Sequence, residues 1–222
     1  RACGIENLVT FDVGGTSTDV SLIADGHPLF SSLRTVADYP LKTPMVDIHV
    51  IGAGGGSIAA IDDAGALKVG PRSAGADPGP CAYARGGERA TITDAHIVLH
   101  RLNPEALLDG RLPVSEAAAK AALIAQVADP LGLSLEDAAE GVIRIANANM
   151  GRAIRAVSTE RGYDLAQFAL FAFGGAGPLH AIDVARECGI ARVVIPIEPG
   201  TMCARGMLLA DVSFDFVRSV IA

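Results

Sequence analysis

A glycine turn near the start of the chain, within the segment FDVGGTSTDVS at residues 11–21, has the residue types of a phosphate-binding loop. Gly14 and Gly15 carry no side chains, so backbone N–H groups there can come close to anionic oxygens. Thr16 and Thr18 add hydroxyl donors. The sequence therefore predicts that these four residues contact a phosphate-bearing ligand.

Two carboxylates, Asp12 and Asp19, flank this turn. Asp12 ends an apolar run and would face bound phosphates, where its carboxylate could hold Mg²⁺ through water. Asp19 supplies a second carboxylate on the returning strand. We expect Asp12 to be the metal residue and both aspartates to be catalytic. The alternative is an ordinary hairpin with glycines for its geometry, although such a turn requires neither carboxylate.

A second glycine-rich segment, FGGAGPLH at residues 173–180, follows an apolar run and precedes a helical pattern. Glycines remove side chains where a flat ligand could lie, and Pro178 suits the first turn of a helix. The pattern predicts a nucleotide-binding loop formed by Gly174, Gly175 and Gly177. Alone, such a loop could equally serve packing, and its pairing with the first motif favours a ligand.

The pattern of strands and helices predicted around these motifs indicates an α/β fold. Three strands come first, followed by an insertion, a long helix, a strand, a helix, a strand and a last helix. The predicted bounds of these elements, in chain order, are Asn7–Val13, Thr18–Ala24, His27–Val36, 134–161, Phe168–Phe173, Pro178–Cys188, Arg192–Pro196 and Ala204–Ala210.

The long helix has sequence signals at both ends. Ser134 can cap it together with Asp137, and Gly162 is a suitable left-handed terminator. Apolar residues at steps of three and four indicate that one face is buried. Asn149 lies on this face, so its amide must find hydrogen bonds in the core, which we favour, or at a ligand.

Residues 41–130 differ in composition, because glycine, proline and alanine dominate and turn signals are frequent. We interpret them as an inserted α+β subdomain, which leaves residues 1–40 and 131–222 as the nucleotide-binding core. The elements predicted within the insertion are a hairpin of Ser57–Ile61 with Ala66–Val69, a short helix capped by Thr93 or Asp94, and a helix that Ser115 caps and that ends before Pro130.

Several polar residues of the insertion are weaker candidates. Asp47 and His49 could form a polar site, and Arg72 could bind an anion, although His49 could equally be a structural histidine on a half-buried strand. His96 and His100 stand four apart on a predicted helix, a spacing that can bind metal. A structural role is favoured for this pair because no third ligand is apparent.

Composition excludes several classes of protein. The 222 residues are 50% hydrophobic, which rules out disorder and suffices for one large domain or two small ones. A net charge of −7 without a basic stripe makes nucleic acid an unexpected partner. The longest segment without charged residues, Leu165–Ile182, contains the second glycine motif, so no membrane span is expected. Four cysteines without a C-x-x-C spacing predict reduced thiols in the cytoplasm.

The two glycine motifs, in this order, resemble the second lobe of the sugar kinase, heat-shock chaperone and actin superfamily of ATPases. A wider set of segments resembles the hydantoinase A and 5-oxoprolinase family over essentially the whole chain. These segments are DIHVIGAGGGS at 47–57, GPRSAGADPGP at 70–80, TDA at 93–95, and Asn149-Met150 with Ala153-Ile154-Arg155. The family usually has other residues at the positions of His96 and His100, and Gly151 and Cys203 also depart from its common pattern.

The resemblance implies ATP- and Mg²⁺-dependent opening of a cyclic amide, such as a hydantoin or 5-oxoproline, in which phosphoryl transfer activates the amide before water attacks. The residues that fall on the phosphate and Mg²⁺ motif are Asp12, Gly14, Gly15, Thr16 and Asp19, and those on the nucleotide loop are Gly174, Gly175 and Gly177. The family's first phosphate motif belongs to an N-terminal lobe that this sequence lacks. We therefore expect a C-terminal lobe that is inactive alone, with the missing lobe and a hydantoinase B-like subunit or domain as partners.

Three other functions are compatible with the same phosphate-binding motif. In related carboxylases a similar subunit activates a small carbonyl compound or bicarbonate. A small-molecule kinase would release a stable phosphorylated product. A subunit that is not an enzyme could use ATP to drive assembly or reactivation of a partner.

Overall fold

A computed structural model describes residues 4–31, 34–36, 38–41, 43–108 and 110–212. The strands are β1 Leu8–Val13, β2 Thr18–Ala24, β3 His27–Pro28, β4 Phe30–Ser31, β5 Arg34–Val36, β6 Tyr39–Leu41, β7 Met45–Val46, β8 Ile48–Ile51, β9 Ser57–Ile61, β10 Leu67–Ser73, β11 Ala106–Leu107, β12 Leu112–Pro113, β13 Ala169–Phe173 and β14 Arg192–Val194. The α-helices are α1 Ile92–Val98, α2 Glu116–Leu123, α3 Asp129–Leu131, α4 Leu135–Val157, α5 Gly177–Cys188 and α6 Met202–Leu209.

One mixed sheet carries both glycine motifs. Its strand order is β14-β13-β1-β2-β3, and β8 also pairs with β2. The central strand β1 runs parallel to β13 and antiparallel to β2. Because β1 and β13 are parallel, their carboxyl ends, and the glycine loops that follow them, lie at the same edge of the sheet. The α/β class is confirmed, as is the predicted order after residue 130 of a long helix, a strand, a helix, a strand and a last helix.

The predicted third strand, His27–Val36, is wrong as a single element. Among the described strands of this segment, β3 alone pairs with β2, over two residues, whereas β4 pairs with β7 and β5 pairs with β6. Along Thr18–Ser21 the neighbour of β2 is β8, which comes later in the chain. Pro28 lacks a backbone N–H, so it cannot donate to a continuing ladder.

The short helix α1 begins earlier than predicted. Its cap is Thr91, not Thr93 or Asp94: the Thr91 hydroxyl accepts from the Asp94 backbone N–H while the Asp94 carboxylate accepts from the Thr91 N–H. This reciprocal pair is a capping box. The buried Asp94 carboxylate also accepts from the backbone N–H of Ala82 at 2.8 Å, so it joins α1 to the preceding loop.

The two longer predicted helices begin as expected. Ser115 caps α2, but the helical path continues through a π-helical turn, Ile124–Ala128, into α3 and therefore passes Pro130. Pro130 is tolerated because it stands in the first turn of α3. Ser134 caps α4 by accepting from the Asp137 N–H.

Two hydrophobic clusters share α4. Its second half, from Met150 to Val157, packs in a cluster with β1, β2, β13 and α5. Its first half, from Ala138 to Ala146, packs in a cluster with α1, α2 and β9. The second cluster therefore draws on residues outside 41–130, and the division into a core and an inserted subdomain stays a prediction. Within the described ranges no helix combines the length and the apolar character that crossing a membrane requires.

Candidate functional site

The first glycine motif is a tight turn between β1 and β2. The turn is closed by a hydrogen bond of 3.0 Å from the Gly14 N–H to the Ser17 carbonyl oxygen. Asp12 and Asp19 stand directly opposite each other in the β1–β2 ladder, and both are half-buried. The structure thus places the two predicted carboxylates side by side at the base of the turn.

A glycine run from the predicted insertion, Gly54–Gly56, packs directly against this turn. The N–H of Gly55 donates to the Gly14 carbonyl at 3.0 Å, and the N–H of Gly56 donates to the Gly15 carbonyl at 2.6 Å. A Cβ atom on Gly54 would lie 2.6 Å from the backbone nitrogen of Thr16, which follows Gly15 in the turn. The sequence singled out this run without placing it at the site, so it is a part of the site that sequence reasoning missed.

The two threonines of the turn face different ways. Thr18 is fully buried, and its hydroxyl donates to the Ala53 carbonyl at 2.5 Å. Thr18 therefore holds the strand end to the glycine run, which differs from the ligand contact predicted for it. Thr16 is exposed, and its Oγ1 lies 3.5 Å from Oγ of Ser73 on β10. The Thr16 hydroxyl is thus on the open side of the turn.

The second glycine motif lies against the end of β1. The N–H of Ala176 donates to the Val13 carbonyl at 2.9 Å. Gly174 has φ +82°, and a Cβ atom there would overlap the Asp12 carboxylate. A Cβ atom on Gly177 would lie 3.3 Å from the Phe11 carbonyl oxygen. Packing against β1 therefore requires glycine at position 174 and leaves little room for a side chain at position 177, and the structure brings the two predicted motifs together.

Gly15 and Gly175 have no such packing requirement. Both are exposed, and a Cβ atom added to either would meet no described atom within 4 Å. Neither backbone is in the left-handed region that favours glycine. Neither packing nor backbone conformation therefore requires glycine at these two positions. Both residues face the open space at this edge of the sheet.

Cys203, on α6, contacts the same carboxylate. Its Sγ lies 2.9 Å from Oδ2 of Asp12. Donation to Asp12, together with partial burial and the negative charges of Asp12 and Asp19, raises the pKa of the Cys203 thiol to about 11. The two residues are 191 positions apart in the chain, so no local sequence pattern indicated the contact.

The weaker polar candidates do not meet at this turn. Asp47 forms an ion pair with Arg161. His49 is exposed on β8 and lines a cavity of about 760 Å³ between β8, β10 and α4. Arg72 is exposed on β10 and does not line that cavity.

Asn149 lies on the wall of this cavity and is only partly buried. Its amide nitrogen donates to the Val69 carbonyl at 3.3 Å, and Arg152 donates to its amide oxygen. The amide is therefore satisfied by neighbours at the edge of the protein, not within the core as favoured from the sequence.

The histidines spaced four apart lie in different environments. His100 is exposed and hydrogen-bonded to Glu116 at 2.8 Å. His96 is buried, with Nε2 3.2 Å from Nε2 of His180, whose Nδ1 lies 2.6 Å from Oδ1 of Asn147. Burial lowers the pKa of His96 to about 2 and that of His180 to about 4. The His96–His180 contact joins two sequence motifs, and no local pattern predicted it.

Comparison with known proteins places these features in a family. The family model described as hydantoinase/oxoprolinase matches residues 1–216. The chain is 45% identical over 212 residues to the caprolactamase subunit alpha of Pseudomonas jessenii, and 40% identical over 215 residues to the 5-oxoprolinase of Saccharomyces cerevisiae. These alignments cover 96% and 92% of this chain but only 30% and 17% of the relatives, so the chain spans less than a third of their length.

Two solved structures share the fold. The crystal structure of the ATP-dependent caprolactamase from Pseudomonas jessenii superposes with a TM-score of 0.87, covering 95% of this chain and 30% of that chain. The nucleotide-free structure of acetone carboxylase gives a TM-score of 0.87 at 38% identity with the same coverage. The chain therefore belongs to the hydantoinase/oxoprolinase family.

Proposed function

We propose that the protein containing this chain uses ATP to open a cyclic amide, and that this chain forms one side of its nucleotide site. The main support is that the Gly174 loop packs against the Asp12 carboxylate. The predicted phosphate-binding turn and the predicted nucleotide-binding loop therefore lie at one edge of the sheet. Similarity to a caprolactamase and a 5-oxoprolinase, whose names both denote cyclic amide substrates, supports the reaction class.

The open glycines supply the ligand contacts. The backbone N–H of Gly15, with the Thr16 hydroxyl, would donate to phosphate oxygens, because this side of the turn is open, whereas the Gly14 N–H already donates to the Ser17 carbonyl. Gly175 would let the flat part of the nucleotide approach the backbone. Gly174 and Gly177 would act indirectly, by fixing the loop against β1.

Asp12 and Asp19 fit a magnesium ion. Both supply carboxylate oxygens, the ligands that Mg²⁺ prefers, and two protein carboxylates leave room for phosphate oxygens and water. Bound Mg²⁺ would neutralise charge on the phosphates. In our proposal Asp12 holds the ion and orients the phosphate chain, and Asp19 shares this role from the opposite strand. The Cys203 thiol donates to Asp12 and so keeps that carboxylate oriented.

The rest of the site would come from outside this chain. Phosphoryl transfer depends on orientation and charge neutralisation from every side of the phosphate, and this chain offers one side. We therefore propose that an N-terminal lobe closes over the turn and that a hydantoinase B-like subunit or domain completes the hydrolysis. Location in the cytoplasm stays a prediction.

A carboxylase subunit is the second candidate function. The fold match to acetone carboxylase is as close as the match to caprolactamase, although sequence identity is lower. The same nucleotide site would then activate a carbonyl compound or bicarbonate.

Product analysis of the full-length protein separates these functions. The protein would be incubated with ATP, Mg²⁺ and caprolactam, 5-oxoproline or hydantoin, and in parallel with acetone or acetophenone and bicarbonate. Phosphate release coupled to ring opening, measured by mass spectrometry, is the expected result. Turnover only with bicarbonate would favour the carboxylase. A stable phosphorylated product would indicate a kinase, and absence of ATP binding would contradict the proposal.

A further inference from the structure

Helix α1 is connected at its start to the phosphate turn. The backbone N–H and the hydroxyl of Thr93 both donate to the Gly55 carbonyl, at 2.8 and 2.9 Å. The N–H of Gly55 in turn donates to the Gly14 carbonyl at 3.0 Å. One residue therefore separates the first turn of α1 from the predicted phosphate-binding backbone.

The same helix is connected, three residues later, to the nucleotide loop. His96 contacts His180, Nε2 to Nε2, at 3.2 Å, and the two rings meet edge to face. His180 stands in the first turn of α5, which begins at Gly177 directly after the loop. Just beyond α1, Arg101 pairs with Asp183 of α5 at 3.2 Å. Helix α1 thus links two segments that are more than 150 residues apart in the sequence.

The donor and acceptor atoms in the contacts that join Asn147, His180 and His96 can be assigned from one another. The Asn147 Oδ1 atom is an acceptor, so His180 donates to it from Nδ1. Since burial keeps His180 neutral, its Nε2 carries a lone pair and must accept. His96 therefore donates from Nε2, and its own Nδ1 is buried with no hydrogen-bond partner among the described residues.

With this assignment, the contact requires an N–H donor at position 96. Replacing His96 by an apolar residue would leave the His180 Nε2 acceptor buried without a donor, which costs more than the loss of an average hydrogen bond. A donor of similar length would satisfy it. The contact with His180 therefore depends on an N–H donor at position 96, and not only on the size of the side chain there.

We propose that His96 is a positioning residue that ties α1 to α5 and thereby sets the distance between the phosphate turn and the nucleotide loop. The inference rests on the proposed function, because nucleotide is taken to be the ligand of both segments. His96 contacts no ligand itself. It acts through His180 on the loop and through the start of α1 on the turn.

The test uses the full-length protein with His96→Leu, His96→Gln and, as a matched control on the same segment, His100→Asn. The first readout is the dissociation constant of AMP-PNP, a non-hydrolysable ATP analogue, measured by calorimetry. The second is hydrogen exchange without nucleotide in peptides covering residues 11–17 and 174–180. Thermal unfolding of each variant shows whether it is folded under these conditions.

We expect His96→Leu to weaken AMP-PNP binding about tenfold and to raise exchange in both peptides, since loss of a buried donor is worth about a factor of ten. The His96→Gln side chain retains an N–H donor and should restore both readouts toward wild type. His100→Asn should match wild type. If the leucine variant does not fold, His96→Asn, whose side chain is too short to reach His180, takes its place.

A folded His96→Leu variant with wild-type affinity and exchange would overturn the proposal, even if its melting temperature fell. In that case the histidine pair would only support the core. If wild-type protein fails to bind AMP-PNP, the proposed function fails, while the exchange measurement still decides on the link. Raised exchange in both peptides would then support it, and unchanged exchange would overturn it.

Discussion

Asp12 is the residue on which the proposed chemistry depends most. It is the penultimate residue of β1, faces Asp19 across the ladder and borders the Gly174 loop. We predict that Asp12→Asn in the full-length protein lowers Mg²⁺-dependent ATP hydrolysis about 10²-fold or more, because it removes a charge beside the phosphates while keeping the shape of the side chain. Steady-state phosphate release at saturating ATP and Mg²⁺ measures the loss.

Asp25→Asn is the matched control for this variant. It makes the same chemical change at an exposed turn at the other end of β2, where asparagine tolerates the left-handed backbone. Turnover of Asp12→Asn within a few-fold of the control, with equal thermal stability, would remove Asp12 from the mechanism.

Cys203 offers a chemical reporter of the Asp12 charge. Its thiol is exposed, but the contact with Asp12 raises its pKa to about 11, so little thiolate exists near neutral pH. We predict that Asp12→Asn accelerates alkylation of Cys203 by iodoacetamide about tenfold, the effect of roughly one pKa unit. Cys188, whose thiol pKa is raised chiefly by burial, serves as an internal reference in the same mass spectra. Equal rates in the two proteins would show that Asp12 does not control this thiol.

At the level of residues, the sequence predicts what local spacing can encode. The Asp12-to-Asp19 segment and the 174–177 loop are recognisable because a short motif contains all their chemistry. Cys203 and His180 acquire their partners only through folding, so spacing gave no indication of the Asp12 or His96 contact. Thr18 shows the opposite case, since its hydroxyl is in the motif but folding turns it toward Ala53.

The packing of the Gly54–Gly56 run against the β1–β2 turn predicts different outcomes for two glycines. Gly54→Ala would place Cβ 2.6 Å from the Thr16 nitrogen and 2.8 Å from the Gly14 carbonyl oxygen. We expect it to destabilise the protein by about 1–3 kcal/mol, the usual effect of overpacking. Gly15→Ala should leave stability near wild type, because its Cβ would meet open space, and should weaken ATP binding by blocking approach to the backbone.

Chemical denaturation and ATP titration of both variants provide the two measurements. Equal loss of stability in the two would mean that the turn is packed on both sides. Wild-type ATP affinity in Gly15→Ala would mean that no phosphate approaches that backbone.

At the level of elements, the starts of α2 and α4 and the β9–β10 hairpin could be predicted, whereas the start of α1 and the strand partners that lie far apart in the chain could not. Ser115 and Ser134 cap their helices as expected, because a cap and its partner lie within one turn. The pairing of β2 with β8 depends on residues about thirty positions away, and β8 occupies the place beside β2 that the predicted third strand would have taken. The continuation of α2 past Pro130 was missed because a proline usually ends a helix, whereas here Pro130 stands in the first turn of α3.

The buried histidine pair predicts how the whole molecule responds to acid. Unfolded histidines bind protons below about pH 6.5, whereas His180 and His96 resist protonation down to about pH 4 and about pH 2. The unfolded state therefore binds more protons in this window, and stability falls as the pH falls from about 6.5 toward 4. Two groups contribute at most about 2.7 kcal/mol per pH unit.

Thermal unfolding midpoints between pH 7.5 and 4.5 test this dependence. The double variant His96→Gln, His180→Gln should flatten the curve, whereas His100→Asn should keep the wild-type slope, because His100 is exposed. The charged groups beside the pair, Arg101 and Asp183, remain in all of these proteins. An unchanged slope in the double variant would assign the acid response to other groups.

The isolated chain should show little turnover. In our proposal its site contacts the phosphates from one side only, and α6 next to that site exposes an apolar surface: Met207, Leu208 and Leu209 are 75%, 86% and 80% exposed. We predict that phosphate release by the purified 222-residue chain is far below that of the full-length protein, because donors from both sides are needed for transfer. Equal rates would show that one side suffices.

The sharing of α4 between the two hydrophobic clusters bears on how such a protein could arise. Excising residues 41–130 would strip the partners from Ala138–Ala146 and leave half of a 23-residue helix with its apolar stripe in water. The first half of α4 thus depends on residues 41–130 for its burial, so protein engineers who move that segment into another protein should transfer the helix with it.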